Sequence, residues 1–187
     1  MTCTNGYRRA SSGRWETPTL TRNTQRLHIK RSESTQEATC LLERMKRAAS
    51  EVQVDSASLL ALTWPWNKAP WQVHLELWER TRQQADQLWQ AYHRLQAIRA
   101  TVPSWQQESI KSMRPHVQTL VMGIGLAFQY VDEGSDTLAG PAYSSVIRTV
   151  YDSAIGLREL SGQAREELID APDAQDVAGN QVQFALA

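Results

Sequence analysis

The stretch SWQQESIKSMRPHVQTLVMGIGLAFQYV, residues 104–131, decides the fold. Its apolar side chains recur at alternating steps of three and four residues, at Ile110, Met113, Val117, Leu120, Ile124, Ala127 and Val131. This spacing places them on one narrow face of an α-helix, which is typical of a helix packed inside a bundle. Ser104 stands three residues before Gln107, and this pattern predicts a capping box at the start of the helix.

Three residues inside this stretch weaken the helix, and a long part of the stretch carries no charge. Pro115 predicts a kink, or a loss of about 3 kcal/mol relative to a better helix former. Gly123 and Gly125 predict a place where another backbone packs closely. Residues 115–131 carry no charge, and these 17 residues match the lower limit of length for a membrane span. The polar side chains in the run and its regular spacing favour a buried bundle helix instead.

Three further segments repeat the same spacing, with prolines between them. Outward from the central stretch, they cover residues 71–102, 143–168 and 41–62. The sequence TWPWNKAP, residues 63–70, follows the earliest segment, and its two prolines make continuation of the helix unfavourable. Asp55 is the one polar residue on the apolar face of that earliest segment.

These four segments predict an all-α protein. Helices of roughly 25–30 residues with short connections favour an antiparallel, up-down-up-down four-helix bundle with a heptad-spaced core. We expect this bundle to cover residues 35–170. Residues 1–34 and 171–187 lack apolar periodicity, so we expect both termini to be disordered.

The N-terminal segment is strongly basic. Residues 1–32 carry seven Arg and Lys side chains and one acidic side chain. The composition resembles that of a transit peptide, and the chain as written has no apolar stretch typical of a secretory signal peptide. The localisation is therefore unknown, and a start assigned too far upstream would allow an envelope or periplasmic protein. A basic segment also allows attachment to an anionic membrane surface.

Composition and motifs argue against several classes of function. The chain has 20 basic and 20 acidic side chains, and this zero net charge argues against a globally basic nucleic-acid binder. Two cysteines are too few for a disulfide scaffold. The sequence has no Glu-x-x-His pair, His-Glu-x-x-His zinc motif, phosphate-binding loop or Gly-x-Ser-x-Gly elbow. It therefore predicts no enzyme, no cofactor and no metal site, and we expect no nucleic-acid partner.

Asp55 and His74 are polar residues on the inward faces of consecutive helices. In an antiparallel hairpin that turns near residue 67, the two lie at about the same level. They form either a hydrogen-bonded polar contact that fixes the register of the helices, or a buried acid–base pair or half of a metal site. We favour the polar contact, and the metal-binding alternative would draw on His93 or His116.

Seven tryptophans are many for 187 residues, and three of them lie around one predicted turn. The candidate binding site there consists of Trp64, Trp66, Lys68 and Trp71. The rings either present a recognition surface or fold back and close the open end of the bundle. We place the function at this turn, because a heptad core packs too densely to hold a ligand. Trp89 is expected on a flank of its helix, partly exposed.

Several segments of the chain resemble a known family. They are WQVH at 71–74, PSWQQESI at 103–110, RPHVQTLV at 114–121, and the helix from Tyr143 to Leu168. Together they resemble an uncharacterised family of small bacterial proteins that are all-helical and usually exported. The resemblance implies a helical fold and an envelope or periplasmic setting, and it implies no activity. The chain departs from the family at its N-terminus, where members carry a signal peptide.

The sequence thus predicts a helical-bundle protein with a structural or protein-interaction role and no catalysis, whose partner is another protein or a second copy. Two alternatives stay open. One is a bundle that binds a metal or a small ligand, and the other is an envelope protein associated with a membrane surface.

Overall fold

The computed structural model of the chain describes residues 19–64 and 69–170, with side chains described within 34–64, 69–134 and 137–166. Four long helices account for most of this part, and no strand occurs in it. A 3-10 turn, Arg99–Thr101, follows the second long helix, and a one-turn helix precedes the last. The helices are α1 Thr19–Leu62, α2 Trp71–Ile98, α3 Ser104–Glu133, α4 Ser135–Leu138 and α5 Pro141–Asp170.

The four long helices form a closed ring of neighbours. Helix α1 packs on α2 and α5, and α3 packs on the same two helices from the opposite corner. The neighbours run antiparallel, as the contacts between α1 and α2 show: Arg80 bonds Asp55, whereas Arg94, further along α2, bonds Glu37, earlier on α1. The prediction of an all-α, up-down-up-down four-helix bundle is therefore confirmed.

The predicted heptad positions form the core. Every apolar position predicted for α3, from Ile110 to Val131, is buried. The described inward positions of α1, α2 and α5 are buried in the same way, except for Leu62 at the end of α1, which is half-buried, and for two positions on α2. Trp71 and Arg99, which extend its predicted stripe at either end, are exposed.

The first helix begins earlier than predicted. We expected residues 1–34 to be disordered, but α1 starts at Thr19. The reason is local, since no proline or glycine interrupts the sequence between Thr19 and Leu62, so a helix stabilised by packing from residue 38 onward can extend N-terminally. Residues 1–18 and 171–187 lie outside the described residues, and the predicted disorder there stays a prediction.

The predicted capping box of α3 does not form. Pro103, in an extended conformation, takes the cap position, and Ser104 becomes the first helical residue with no side-chain cap. The Gln107 side chain instead donates from Nε2 to the carbonyl oxygen of Val102, at 2.9 Å. The helix runs through Pro115 without ending there.

The two glycines of α3 differ in their surroundings. A Cβ at Gly123 would lie 2.6 Å from Cγ2 of Val150, so this glycine allows α5 to approach, as predicted. A Cβ at Gly125 would meet nothing within 4 Å, so the prediction of close packing is wrong for it within this bundle. On α5, Gly156 makes room for the ring of His116.

Candidate functional site

Asp55 lies at the edge of the core and forms an ion pair with an arginine of the next helix. Arg80 donates from Nε to Oδ2 of Asp55 at 2.8 Å, and a second Arg80 nitrogen bonds Oδ1. The carboxylate is buried, whereas the arginine side chain reaches it from the surface. The hydrogen bond to Asp55 and then its negative charge raise the pKa of Arg80. This two-point contact ties α1 to α2.

His74 belongs to a separate buried network that joins α2 to α5. Its Nδ1 lies 3.0 Å from the hydroxyl oxygen of Tyr143, and Trp78 donates from Nε1 to the same oxygen at 2.8 Å. The indole is only a donor, and the phenol has one proton to give. Trp78 therefore donates to Tyr143, and the phenol proton is available to Nδ1 of a neutral His74 in the tautomer that carries its proton on Nε2.

Burial sets the protonation of this network. Desolvation lowers the pKa of His74, which agrees with a neutral imidazole that accepts a hydrogen bond. Desolvation also raises the pKa of Tyr143 to about 12, and the bond from Trp78 opposes this rise. Burial thus favours the neutral form of both groups in this network.

The expected contact between Asp55 and His74 does not form, because each binds a different partner. The register of α1 and α2 sets Arg80 beside Asp55, while His74 turns towards α5. Of the other histidines, His93 packs edge-on to Trp89 with ring centroids 4.2 Å apart, and His116 lies against Gly156. Among the described residues, no group of three His, Cys, Asp or Glu could hold a metal ion.

The tryptophan-rich turn places two of its candidate residues on the surface. Trp64 is 54% exposed and Trp71 is 43% exposed, and Val73 in the first turn of α2 adds a further exposed apolar side chain. Trp66 and Lys68 lie outside the described residues. The described part of the candidate site is therefore an apolar, outward surface.

Other aromatic residues close this end of the bundle from the inside. Trp78 and Tyr143 are fully buried, and Tyr130 of α3 packs on Tyr143 with ring centroids 5.8 Å apart. With the interior filled in this way, Trp64 and Trp71 do not enter the core. Trp64 and Trp71 therefore do not follow the alternative in which all the rings of the turn fold back onto the bundle.

A groove between α2 and α3 combines aromatic and basic side chains, and sequence reasoning did not find it. It has a volume of about 500 Å³. Its walls include Trp89, Tyr92, His93, Arg99, Lys111 and Arg114, together with the acidic side chain of Glu108. Trp89 is partly exposed, as predicted. The groove escaped notice because its residues occupy outer positions of two helices, and only the packing of those helices brings them together.

Comparisons with protein-family models, with curated proteins and with solved structures found no match to this chain. The resemblance to a family of small exported bacterial proteins therefore stays a hypothesis. In the described part of the chain, no helix is long and apolar enough to span a membrane.

Proposed function

We propose that this protein is a non-catalytic interaction protein that binds a protein partner through its tryptophan-rich end. The observation that carries the proposal is the outward position of Trp64 and Trp71 at one end of a closed bundle. Indole rings bury much apolar surface on binding and lose little conformational freedom, and for these reasons tryptophan dominates many protein interfaces.

The chemistry of this end favours a protein partner. Val73, like Trp71 in the first turn of α2, is a further exposed aliphatic side chain at this end, and aliphatic side chains contribute no hydrogen bonds for the hydroxyl groups of a sugar. Trp71 is the first residue of α2, so the helix holds its backbone in place. A rigid apolar surface of this kind suits the apolar face of a partner helix.

The polar groups of the bundle interior support a role without catalysis. The Asp55 carboxylate is held by Arg80, and His74 is held by Tyr143. Both contacts join neighbouring helices, so their evident use is to fix the register of the bundle.

The experiment compares three full-length baits in the same extract: the wild type, the double variant Trp64→Ser/Trp71→Ser, and Trp89→Ser as a matched control. Trp89 is similarly exposed but lies on the flank of α2. A partner of the tryptophan-rich end is retained by the wild type and by Trp89→Ser and lost from the double variant. The purified partner must then show the same order of affinity in calorimetry. Equal retention by all three baits would contradict the proposal.

The groove between α2 and α3 supports a second candidate function, the binding of a small anion that carries a planar ring. Its volume of about 500 Å³ lies within the usual range for ligand sites. Arg99 and Arg114 form no ion pair within the described residues, and the exposed ring of Trp89 offers a surface for stacking.

This second candidate is tested with adenosine monophosphate, adenosine and inorganic phosphate as probes. Binding is followed through quenching of tryptophan fluorescence in the wild type and in Arg114→Gln. The candidate requires that the nucleotide bind more tightly than either half alone and that Arg114→Gln weaken it. Unchanged fluorescence with all three probes would exclude this ligand class.

A further inference from the structure

The outer face of α3 carries a row of exposed residues that the fold of one chain does not explain. Each member lies three or four residues from another member, so together they form one stripe along the helix. They are Lys111, Pro115, Gln118, Met122, Gly125, Leu126, Gln129 and Glu133, and all are exposed. This set is called the α3 stripe below.

The middle of the α3 stripe is apolar and uncharged. Met122 is 69% exposed and Leu126 is 46% exposed, in the run 115–131 that contains no charged residue. Core packing explains the inward half of this run but not its outward half. The outer faces of the other long helices carry charges, for example Glu51 on α1 and Asp86 on α2. The uncharged outer face of α3 is therefore a local feature that points to a covered surface.

The two ends of the stripe carry opposite charges at equal distances from its centre. Lys111, whose Nζ also lies 3.5 Å from the exposed carboxylate of Glu108 on the same helix, is 11 residues before Met122, and Glu133 is 11 residues after it. Each end is thus about 16 Å from Met122 along the helix, at 1.5 Å per residue. A stripe with this symmetry is complementary to itself when two copies run antiparallel.

We propose that the α3 stripe binds the same stripe of a second copy of this chain, antiparallel, about a two-fold axis at Met122. Lys111 of each copy then lies beside Glu133 of the second copy, twice in one interface. Between these pairs, Gln118 faces Leu126 and the two Met122 side chains meet. Charge complementarity and apolar contact therefore select the same register.

Gly125 supplies a second and independent argument. A glycine inside a helix costs about 1 kcal/mol relative to alanine. Gly123 is explained by Val150, but a Cβ at Gly125 would meet nothing within 4 Å. On the exposed α3 stripe, a missing side chain lets a second helix approach closely. The glycine thus has a structural reason in the dimer that it lacks in the single bundle.

The dimer extends the proposed function without depending on it. The tryptophan-rich end of the bundle is adjacent to the C-terminal end of α3, because Tyr130 packs on Tyr143, which bonds Trp78. In an antiparallel dimer the two tryptophan-rich ends therefore point in opposite directions.

The stripe is about 33 Å long. A single helix pair of this length buries less than the roughly 800 Å² per partner of a standard interface, so we expect a micromolar dissociation constant.

Analytical ultracentrifugation of the full chain over a range of concentrations tests the proposal. We expect the wild type to form a reversible dimer, and Lys111→Glu or Glu133→Lys alone to weaken it about tenfold or more, since each places like charges together twice. An equimolar mixture of these two variants should recover the wild-type affinity, because both contacts in the mixed dimer join opposite charges. Arg47→Glu on α1, diagonally across the bundle, is the matched control and should change nothing.

Gly125→Gln provides a test that does not depend on charge. Its side chain enters open space in the single bundle, so circular dichroism and thermal stability should match or exceed those of the wild type while the dimer is lost. A wild type that stays monomeric overturns the proposal, as does a mixture that fails to recover. Wild-type binding to phosphatidylcholine–phosphatidylglycerol vesicles that Met122→Glu abolishes, with no dimer, would assign the stripe to a lipid surface instead. Trp71→Ala must leave the dimer intact, which separates this test from that of the tryptophan-rich end.

Discussion

Tyr143→Phe removes one oxygen atom from the centre of the only buried network that links α2 to α5 in the described part of the chain. The ring stays and continues to fill the core, where Tyr143 is fully buried. The change deprives two groups of their partner, the indole N–H of Trp78 at 2.8 Å and Nδ1 of His74 at 3.0 Å. The experiment therefore measures the hydrogen bonds separately from the packing.

The expected loss of stability follows from these two orphaned groups. A buried donor or acceptor without a partner costs about 1–3 kcal/mol. Part of this is recovered because the phenylalanine ring needs no hydrogen bond. We therefore expect Tyr143→Phe to lower the free energy of unfolding by about 3 kcal/mol, which corresponds to a fall in Tm of about 10 °C for a domain of this size.

Urea unfolding at neutral pH, followed by circular dichroism, measures this loss. Tyr130→Phe is the matched control, because Tyr130 packs on Tyr143 and its hydroxyl makes no hydrogen bond within the described residues. The control should change the free energy of unfolding by less than about 0.5 kcal/mol. A loss below about 1 kcal/mol in Tyr143→Phe, or an equal loss in the control, would refute the reasoning.

Alkaline unfolding examines the same hydroxyl in a second way. Burial raises the pKa of Tyr143 to about 12, whereas the unfolded chain ionises near 10.0. Between these two values the folded state binds the additional proton, so stability falls as the pH rises through this window. The part of this slope due to Tyr143 must disappear in Tyr143→Phe.

Three further predictions concern single positions. Burial lowers the pKa of His74, so stability should fall as the pH drops below 6.5, where the unfolded state takes up the proton first, and His74→Asn should flatten this slope in urea unfolding at several pH values. Gly123→Ala should destabilise the bundle because its Cβ collides with α5, whereas Gly125→Ala should stabilise it by up to about 1 kcal/mol, and thermal unfolding of the two variants side by side checks the contrast. Asp55→Asn should cost about 1–2 kcal/mol in urea unfolding, because it weakens a two-point contact to Arg80 that solvent partly screens.

The periodic pattern predicted the core well, because burial in a helical bundle is a property of one face of each helix. Met113 and Ile124, for example, are buried as the spacing requires. The ends of the helices were harder to predict, because they depend on which neighbouring residues cap or interrupt the helix. At the start of α3, Pro103 provided an extended cap residue and moved Ser104 into the helix. Helix α1 contains no proline or glycine, so it extends N-terminally to Thr19, earlier than predicted.

The polar partners could not be predicted in the same way. Sequence reasoning identified Asp55 and His74 as polar core residues, and both are buried. The partners of Asp55 and His74 were missed because each contact depends on the length of a side chain and on the rotation of a helix about its axis. Arg80 comes from an exposed position with a long side chain, and Tyr143 occupies a core position of α5, where the pattern reports only its ring. A heptad shows which face is inward but not which hydroxyl meets which imidazole.

The glycines of α3 show how the same residue type can serve two different contacts. Gly123 is required by the bundle itself, since Val150 occupies the space of its Cβ. Gly125 weakens the helix without any contact in the bundle that would need it. It lies in the uncharged middle of the exposed α3 stripe, and the two ends of this stripe carry opposite charges. Contact with the α3 helix of a second copy would explain the glycine, the uncharged middle and the charged ends together.

An antiparallel dimer would carry two tryptophan-rich ends, and a partner with two sites would then bind by avidity far more tightly than either end alone. Loss of the dimer through Gly125→Gln should therefore weaken the capture of such a partner while leaving the affinity of each single end unchanged.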